Sequence, residues 1–452
     1  MFTIFNTHPS YLHKFIFTPV AMKLILLLGI AVSITFLQNC QFKSPKTHPT
    51  STEIVCIKEG KFHQNGKALF IKGCNYWYGG YIVTKNEAHS YQRLVSELNF
   101  LQKQGINNLR VMVSSEGDNH YPYRINPSLR PSLDSFNTSI MYGFDVLLSE
   151  LHKRQMTATM VLGNNWEWSG GFGEYLNWHK NQHGEPILPK TSNWHWDSFC
   201  EYLPQFYACD FCKSNYLETI NRILHRQNTI DSISYKQHPA ILSWELANEP
   251  RPMLNHYWRP YVNWIQTTAT YIHNIDSNHL ITIGQEGLIS LFNDPIKFEE
   301  IHNQPYIDYA TIHIWPKTWN WYNGTSEASV TDTTLEKTGR YIKEHAQICR
   351  KINKPLIIEE FGLHRDGNAF NPESTVHNRD KYYQFVLDNI KRYNLSGFNF
   401  WGGIALPENV NETGFMQPGS AYSADPPQEE QGLYGVYRTD SSTWKIIRDF
   451  NQ

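Results

Sequence analysis

Short apolar runs recur along the chain, most of them followed by a polar loop and then a segment whose apolar positions repeat at helical spacing. Eight of these runs read as strands: IKGCNYW, NNLRVMV, TATMVLGNN, ILSWELANE, LITIGQ, DYATIHIW, PLIIEE and GFNFW. Amphipathic helices are expected between most of them, at Tyr91 to Gln104, Ile140 to Arg154, Tyr216 to Arg226, Tyr257 to Ile275, Leu335 to Lys351 and Lys381 to Tyr393, with a short one at Pro295 to His302. Strands that alternate with helices imply parallel pairing, so the pattern predicts an α/β fold, a (β/α)8 TIM barrel with long insertions after its third and eighth strands. Ahead of the first strand, IVCIKEGKFHQNGKALFIKG places Asn65-Gly66 between alternating segments. That pair is the strongest short hairpin signal, and the hairpin is expected to cap the barrel bottom.

The N-terminus breaks this pattern. Lys23 precedes LILLLGIAVSITFL, which ends at Gln38-Asn39-Cys40. A basic flank with so short an apolar run marks an export signal rather than a spanning helix. Because it ends in a cysteine, it resembles a bacterial lipoprotein signal with Cys40 as the lipidated first mature residue; plain secretion without an anchor is the alternative. The expected location is the cell surface or outer membrane, or else the periplasm or medium, with the membrane touched only through a lipid anchor. Met22 is a second candidate start within a signal spanning residues 1–40. Residues 41–52, polar and proline-bearing, read as a tether, and residues 53–452 as one domain.

Net charge is −2 with no long basic run, which excludes nucleic acid as the expected partner. Aromatics make up 14% of the chain and include 14 tryptophans, crowded beside strand ends in NNWEW, NWHW, HIWPKTWNWY and FWGG. Rings with an exposed apolar face suit stacking on the C–H faces of sugars. Beyond Cys40, the cysteines are Cys56, Cys74, Cys200, Cys209, Cys212 and Cys349, and their pairing is open. Cys209 and Cys212 form a C-x-x-C with no second pair to complete a zinc site, so a loop disulfide or free thiols are expected. No cofactor motif is present, and no metal centre is expected.

In a barrel of this kind, chemistry gathers where strands end. Those ends carry Asn75 and Trp77, Arg110, Asn164-Asn165-Trp166, Asn248-Glu249, Gln285-Glu286, His313 and Trp315, Glu360, and Trp401. Two apolar strands, the fourth and the seventh, each deliver a glutamate: ILSWELANEP ends in Asn248-Glu249-Pro250, and PLIIEEFG places Glu360 before Phe361-Gly362. A single such glutamate reads as a solvated strand end. Two of them, on separate strands amid tryptophans, read as an acid/base pair.

With these residues in view, residues from about 53 onward resemble glycoside hydrolase family 5, a retaining clan-A family, and within it the endo-β-1,4-mannanases. Asn248-Glu249-Pro250 matches the family's acid/base motif, and Glu360 before Phe361-Gly362 matches its nucleophile motif. WELANEPR, NNWEWSGG and HIWPKTW resemble the mannanase subgroup, which implies that Arg251 contacts the leaving-group side. One departure is Trp315, which stands where many members have a tyrosine that hydrogen-bonds the nucleophile; an indole N–H donates too, with different reach. The resemblance implies catalysis by Glu249 and Glu360 and sugar binding by Trp77, Arg110, Asn165, Trp166, Asn248, Arg251, His313, Trp315 and Trp401, in a monomer acting on β-mannan. The alternatives are a β-glucanase of the same family and a glycan-binding lipoprotein without catalysis.

The chemistry sets further expectations. Glu360, near Arg110 and a donor from strand six, is expected to be the anionic nucleophile, and Glu249 to have a raised pKa as acid and then base. Asn248 is expected to hold the 2-hydroxyl. Strict alternation cannot point Asn248 and Glu249 the same way, so a distorted peptide is expected there. Alternation should also turn Glu359 toward the helices if Glu360 faces the site. The two carboxyls should lie about 5 Å apart, as retention of anomeric configuration requires. Glu245 is read as structural, Glu286 as a decoy and Glu167 as a candidate substrate contact.

Overall fold

The structure, a computed structural model, describes residues 53–83, 88–118, 123–185, 187, 195–322, 330–417 and 419–451. The expected signal, Cys40 and the tether lie outside the described residues. Strands β1 (Cys56–Lys58), β2 (Lys61–Gln64) and β3 (Lys67–Ala68) form a small antiparallel sheet. Asn65 and Gly66 join β2 to β3 with positive φ at both (52° and 74°), the twist that lets a two-residue turn reverse a strand. Val55 and Phe62 from this sheet pack with Ile71, Leu242, Leu280, Tyr309 and Ile357. The Phe62 ring meets Tyr309 edge-on at 5.3 Å, so the hairpin closes the barrel bottom as its alternation implied.

Eight parallel strands follow: β4 (Ile71–Asn75), β5 (Asn108–Met112), β6 (Thr157–Val161), β7 (Ile241–Glu245), β8 (Leu280–Thr282), β9 (Ala310–Ile314), β10 (Leu356–Phe361) and β11 (Gly397–Phe400). They pair in the order β8-β7-β6-β5-β4-β11-β10-β9. Between β8 and β9 closure rests on bonds outside the ladder, including Asp308 N–H to the Ile281 carbonyl at 2.8 Å and His313 N–H to the Glu286 carbonyl at 2.9 Å. Every residue of the eight strands is buried, as expected when a sheet has helices on its outer face and a filled interior.

All seven expected helices are present: α1 (Ala88–Lys103), α2 (Thr138–Lys153), α6 (Asp210–Leu224), α7 (Trp258–Ile275), α8 (Pro295–His302), α9 (Asp332–Lys351) and α10 (His377–Tyr393). Their starts follow local chemistry: the Asn137 side chain caps α2, and Asp294 caps α8 ahead of Pro295. Among the described residues, four more α-helices were not anticipated. The insertion after the third barrel strand folds into α3 (Gly171–His183), α4 (Trp196–Tyr202) and α5 (Gln205–Ala208), and α11 (Ser441–Asp449) closes the chain. Cys209 and Cys212 are bridged at the start of α6, while Cys56, Cys74, Cys200 and Cys349 are free.

Candidate active site

The strand ends converge on a cleft of 460 Å³ at the C-terminal rim of the barrel. Glu249 follows β7 and reaches it by a strained backbone. Asn248 N–H bonds across to the Gly163 carbonyl and Glu249 N–H to the Gly284 carbonyl, both at 2.9 Å, with Glu249 in the left-handed region at φ 51°. That conformation is uncommon for a residue with a Cβ. It lets both Asn248 and Glu249 line the cleft, the distortion that alternation demanded.

On β10 the register shifts between Ile358 and Glu360, a bulge against β9. The expectation that Glu359 turns toward the helices does not hold. The bulge brings Glu360 to the cleft while Glu359 stays within the barrel, its Oε2 3.7 Å from both Arg110 Nε and His313 Nε2. An extra residue in the strand breaks the period of two on which that expectation rested.

Arg110, from β5, lies beneath the pair. Its guanidinium holds Glu245 through two bonds (2.9 and 2.6 Å), donates to Asn75 Oδ1 at 3.0 Å and Asn248 Oδ1 at 2.8 Å, and donates to Glu360 Oε1. Glu245 is therefore the structural partner expected of it. The other Glu360 oxygen accepts from the Trp315 indole N–H at 3.0 Å, so the indole fills the donor role a tyrosine would have. Glu249 Oε2 accepts from Trp166 Nε1 at 2.6 Å, and its Oε1 lies 2.7 Å from His313 Nδ1. That same Nδ1 is 3.3 Å from Glu360 Oε2, and ligand atoms of Glu249, His313 and Glu360 all fall within 4.8 Å of one another. Such a trio resembles a cation site, but all four carboxylate oxygens already face protein N–H groups, so nothing in the geometry calls for an ion.

The electrostatics depart from expectation at Glu249. Burial pushes its carboxyl up, but the His313 hydrogen bond and charge, the Arg251 charge and the Trp166 N–H outweigh burial and bring it to about 2. Burial likewise opposes charge on His313, yet the Glu360 charge, the hydrogen bond to Glu249 and the nearby Glu359 carboxylate raise its pKa well above the usual imidazole range. These directions favour charge on both groups, a carboxylate at Glu249 beside a protonated His313. Glu286 is pushed by burial up to about 7 while it pairs with Arg251 at 2.5 Å.

Of the other expected contacts, Trp166, Asn248, Arg251, Trp315 and Trp401 line the cleft. Arg251 stacks over the Trp166 ring, 4.8 Å from its centroid. Arg110 and His313 are buried under the carboxylates rather than on the cleft surface. Two residues sit behind the wall. Trp77 donates its indole N–H to the Ala424 carbonyl at 3.0 Å, and Asn165 is fully buried with Oδ1 accepting from Arg251 N–H at 3.3 Å. Glu167 and Glu286 do reach the cleft, as do Trp168, Trp196 and Trp319 from the aromatic clusters noted beside the strand ends. Gln428, Glu429 and Tyr434, from the loop after β11, were missed; that loop carries no periodic signal, and only its length marked it.

A (β/α)8 barrel with paired glutamates on its fourth and seventh strands, set in a tryptophan-lined cleft, defines a glycosidase. The model of the glycoside hydrolase family 5 β-mannosidase-like group matches residues 52–452, and the chain belongs to that family. It is 29% identical to mannan endo-1,4-β-mannosidase 4 of Solanum lycopersicum, over 84% of this chain and 89% of that one. Among solved structures it is similar to a family 5 mannosidase from Rhizomucor miehei, with 30% identity, a TM-score of 0.79, and coverage of 89% of this chain and 97% of that one. An endo-1,4-β-D-mannanase from Thermotoga petrophila shares the fold at 20% identity and a TM-score of 0.64, over 84% of this chain and 99% of that one.

Proposed function

We propose that the protein hydrolyses β-1,4-mannosidic bonds in mannan, galactomannan or glucomannan by double displacement. The observation that carries this reading is the Glu249–Glu360 pair, with oxygens within 4.8 Å across the cleft. Retaining glycosidases keep their carboxyls about 5–5.5 Å apart, whereas inverting ones leave roughly 6.5–9.5 Å for a water. Mannan as substrate is supported by the relatives' names and by a mutant of the Rhizomucor miehei mannosidase solved with mannosyl-fructose.

Glu360, fixed by Arg110 and Trp315, attacks the anomeric carbon. The proton required by the leaving oxygen is shared by Glu249 and His313, 2.7 Å apart, and passes through Glu249 to that oxygen. Glycosylation of Glu360 removes its charge, and Glu249 then takes a proton from the attacking water as the ester is hydrolysed. Asn248, whose Nδ2 donates to Asn164 Oδ1 at 3.2 Å, retains a second amide hydrogen for the 2-hydroxyl. Arg251 and Trp166 flank Glu249 and serve the leaving-group side.

The test is hydrolysis of galactomannan, glucomannan and cellulose side by side, with the anomer of the first product read by NMR. Preferential cleavage of the mannans with a β-anomer supports the reading. Preference for cellulose, or an initial α-anomer, overturns it. Export as a lipoprotein through Cys40 belongs to the same proposal and is checked by palmitate labelling that Cys40→Ala abolishes.

A further inference from the structure

The loop after β11 is held far more rigidly than its lack of helix or strand suggests. The Asp425 carboxylate accepts N–H groups of Gly432 (2.8 Å), Tyr434 (3.2 Å) and Gly435 (3.1 Å). From inside the turn, Gln431 Nε2 donates to the carbonyls of Asp425 (2.9 Å), Pro426 (3.1 Å) and Glu429 (3.3 Å). Clamped in this way, the turn presents Gln428 and Glu429 to the cleft. Three buried polar atoms there have no hydrogen-bond partner among the described residues: Gln428 Oε1, Glu429 Oε2 and Trp401 Nε1. Buried polar groups are rarely left unpaired without a reason, because each such group gives up its hydrogen bonds to water.

Trp401 stands on the Glu360 side of the scissile position, and so does Tyr434, a ring of the clamped turn that feels the Glu429 charge. Trp401 and Tyr434 both pack edge-on against Trp315, at 5.6 and 5.1 Å, and Trp315 in turn holds Glu360. The Trp166–Arg251–Glu286 group lies with Glu249 instead. We propose that Glu429, with Gln428 and the Trp401 indole N–H, forms a polar wall that hydrogen-bonds the hydroxyls of the sugar unit bound on the Glu360 side, making Glu429 a specificity-determining residue. Two acceptors and one donor match a pyranose face that offers hydroxyls able to do both. Burial, together with the negative charge of Asp425, Glu360, Glu249 and Glu430, raises the Glu429 pKa and favours its neutral carboxyl, which donates as well as accepts.

The inference rests on the proposed mannan hydrolysis, and wild-type turnover of mannotetraose is the control that separates the two: no turnover strikes the function, not the wall. With turnover established, kcat/KM on mannotetraose is compared for wild type, Glu429→Ala and Glu429→Gln, with thermal melting as the folding check. Loss of one hydrogen bond made to a charged or polar site should cost Glu429→Ala about 10- to 100-fold, with Glu429→Gln falling between it and wild type. Folded Glu429→Ala within twofold of wild type overturns the proposal. If Glu429→Ala fails to fold, Gln428→Ala and Glu429→Gln carry the test, and wild-type efficiency in both overturns it equally.

Discussion

At the scale of single residues, each oxygen of Glu249 and Glu360 has its own donor. Replacing Trp315 by Phe keeps the ring packed on Trp401 and removes the N–H held by Glu360. A lost hydrogen bond to a charged group costs about 1.5–3 kcal/mol, so kcat/KM on mannan should fall roughly 10- to 150-fold, measured at constant pH with melting unchanged. In kcat/KM, which reports the glycosylation step, Glu249→Ala should lose about 10²- to 10⁴-fold on mannan but far less on 2,4-dinitrophenyl β-mannoside, whose leaving group needs no proton. Equal losses of kcat/KM on both substrates would remove Glu249 from its role as acid. In His313→Asn, the proton shared with Glu249 loses its stronger holder, His313, which titrates well above the imidazole range, and is left to a carboxyl that burial raises and the Arg251 charge and Trp166 N–H lower. The basic limb of the pH–rate profile should therefore move to lower pH, and an unmoved limb would show that the pair does not share the catalytic proton.

At the scale of elements, the barrel separates stability from chemistry. The hairpin sheet closes one end and the cleft opens at the other, so a change in the cap should act on folding alone. Phe62 is fully buried against Tyr309. Phe62→Ala should cost about 3–5 kcal/mol in urea unfolding and leave kcat within about twofold, since no cleft residue touches that cluster. The hairpin and barrel strands were legible in the sequence because turn chemistry and apolar runs are local signals, and Asn65-Gly66 needs only its own backbone to form a turn. The helices α3 to α5 were not. Their residues mix tryptophan, histidine and asparagine without a clean apolar stripe, because α3 also packs against the loop that carries Trp166 and Trp168. The bulge at Glu360 was likewise unreadable, since a one-residue register shift depends on the neighbouring strand.

At the scale of the whole molecule, burial of several carboxyls sets a pH dependence. Glu116, which accepts the Gly171 N–H at 2.9 Å beneath the cleft loop, is raised by burial to about 7, and Asp425 by burial to about 6. A carboxyl raised in the fold contributes stability that is fully present below its unfolded pKa and is lost as pH rises through its folded value. Buried His302 and His345, which burial lowers to about 3 and about 4, act in the opposite sense, so the Glu116 contribution is read by difference: Glu116→Gln should lower the thermal midpoint at pH 5 relative to that at pH 8 compared with wild type, and an unchanged difference would contradict it. The sequence by itself determined the eight strands, the cap, the two catalytic candidates and the distortion at Asn248-Glu249, because strand period, turn residues and the contents of one strand end are written in consecutive positions. Only the tertiary structure decided that Trp77 and Asn165 lie behind the wall, that Glu359 stays inside the barrel, that the proton beside Glu249 sits on His313, and that Glu429 enters the cleft. Each of those depends on the distance between side chains far apart in sequence, and folding alone sets that distance.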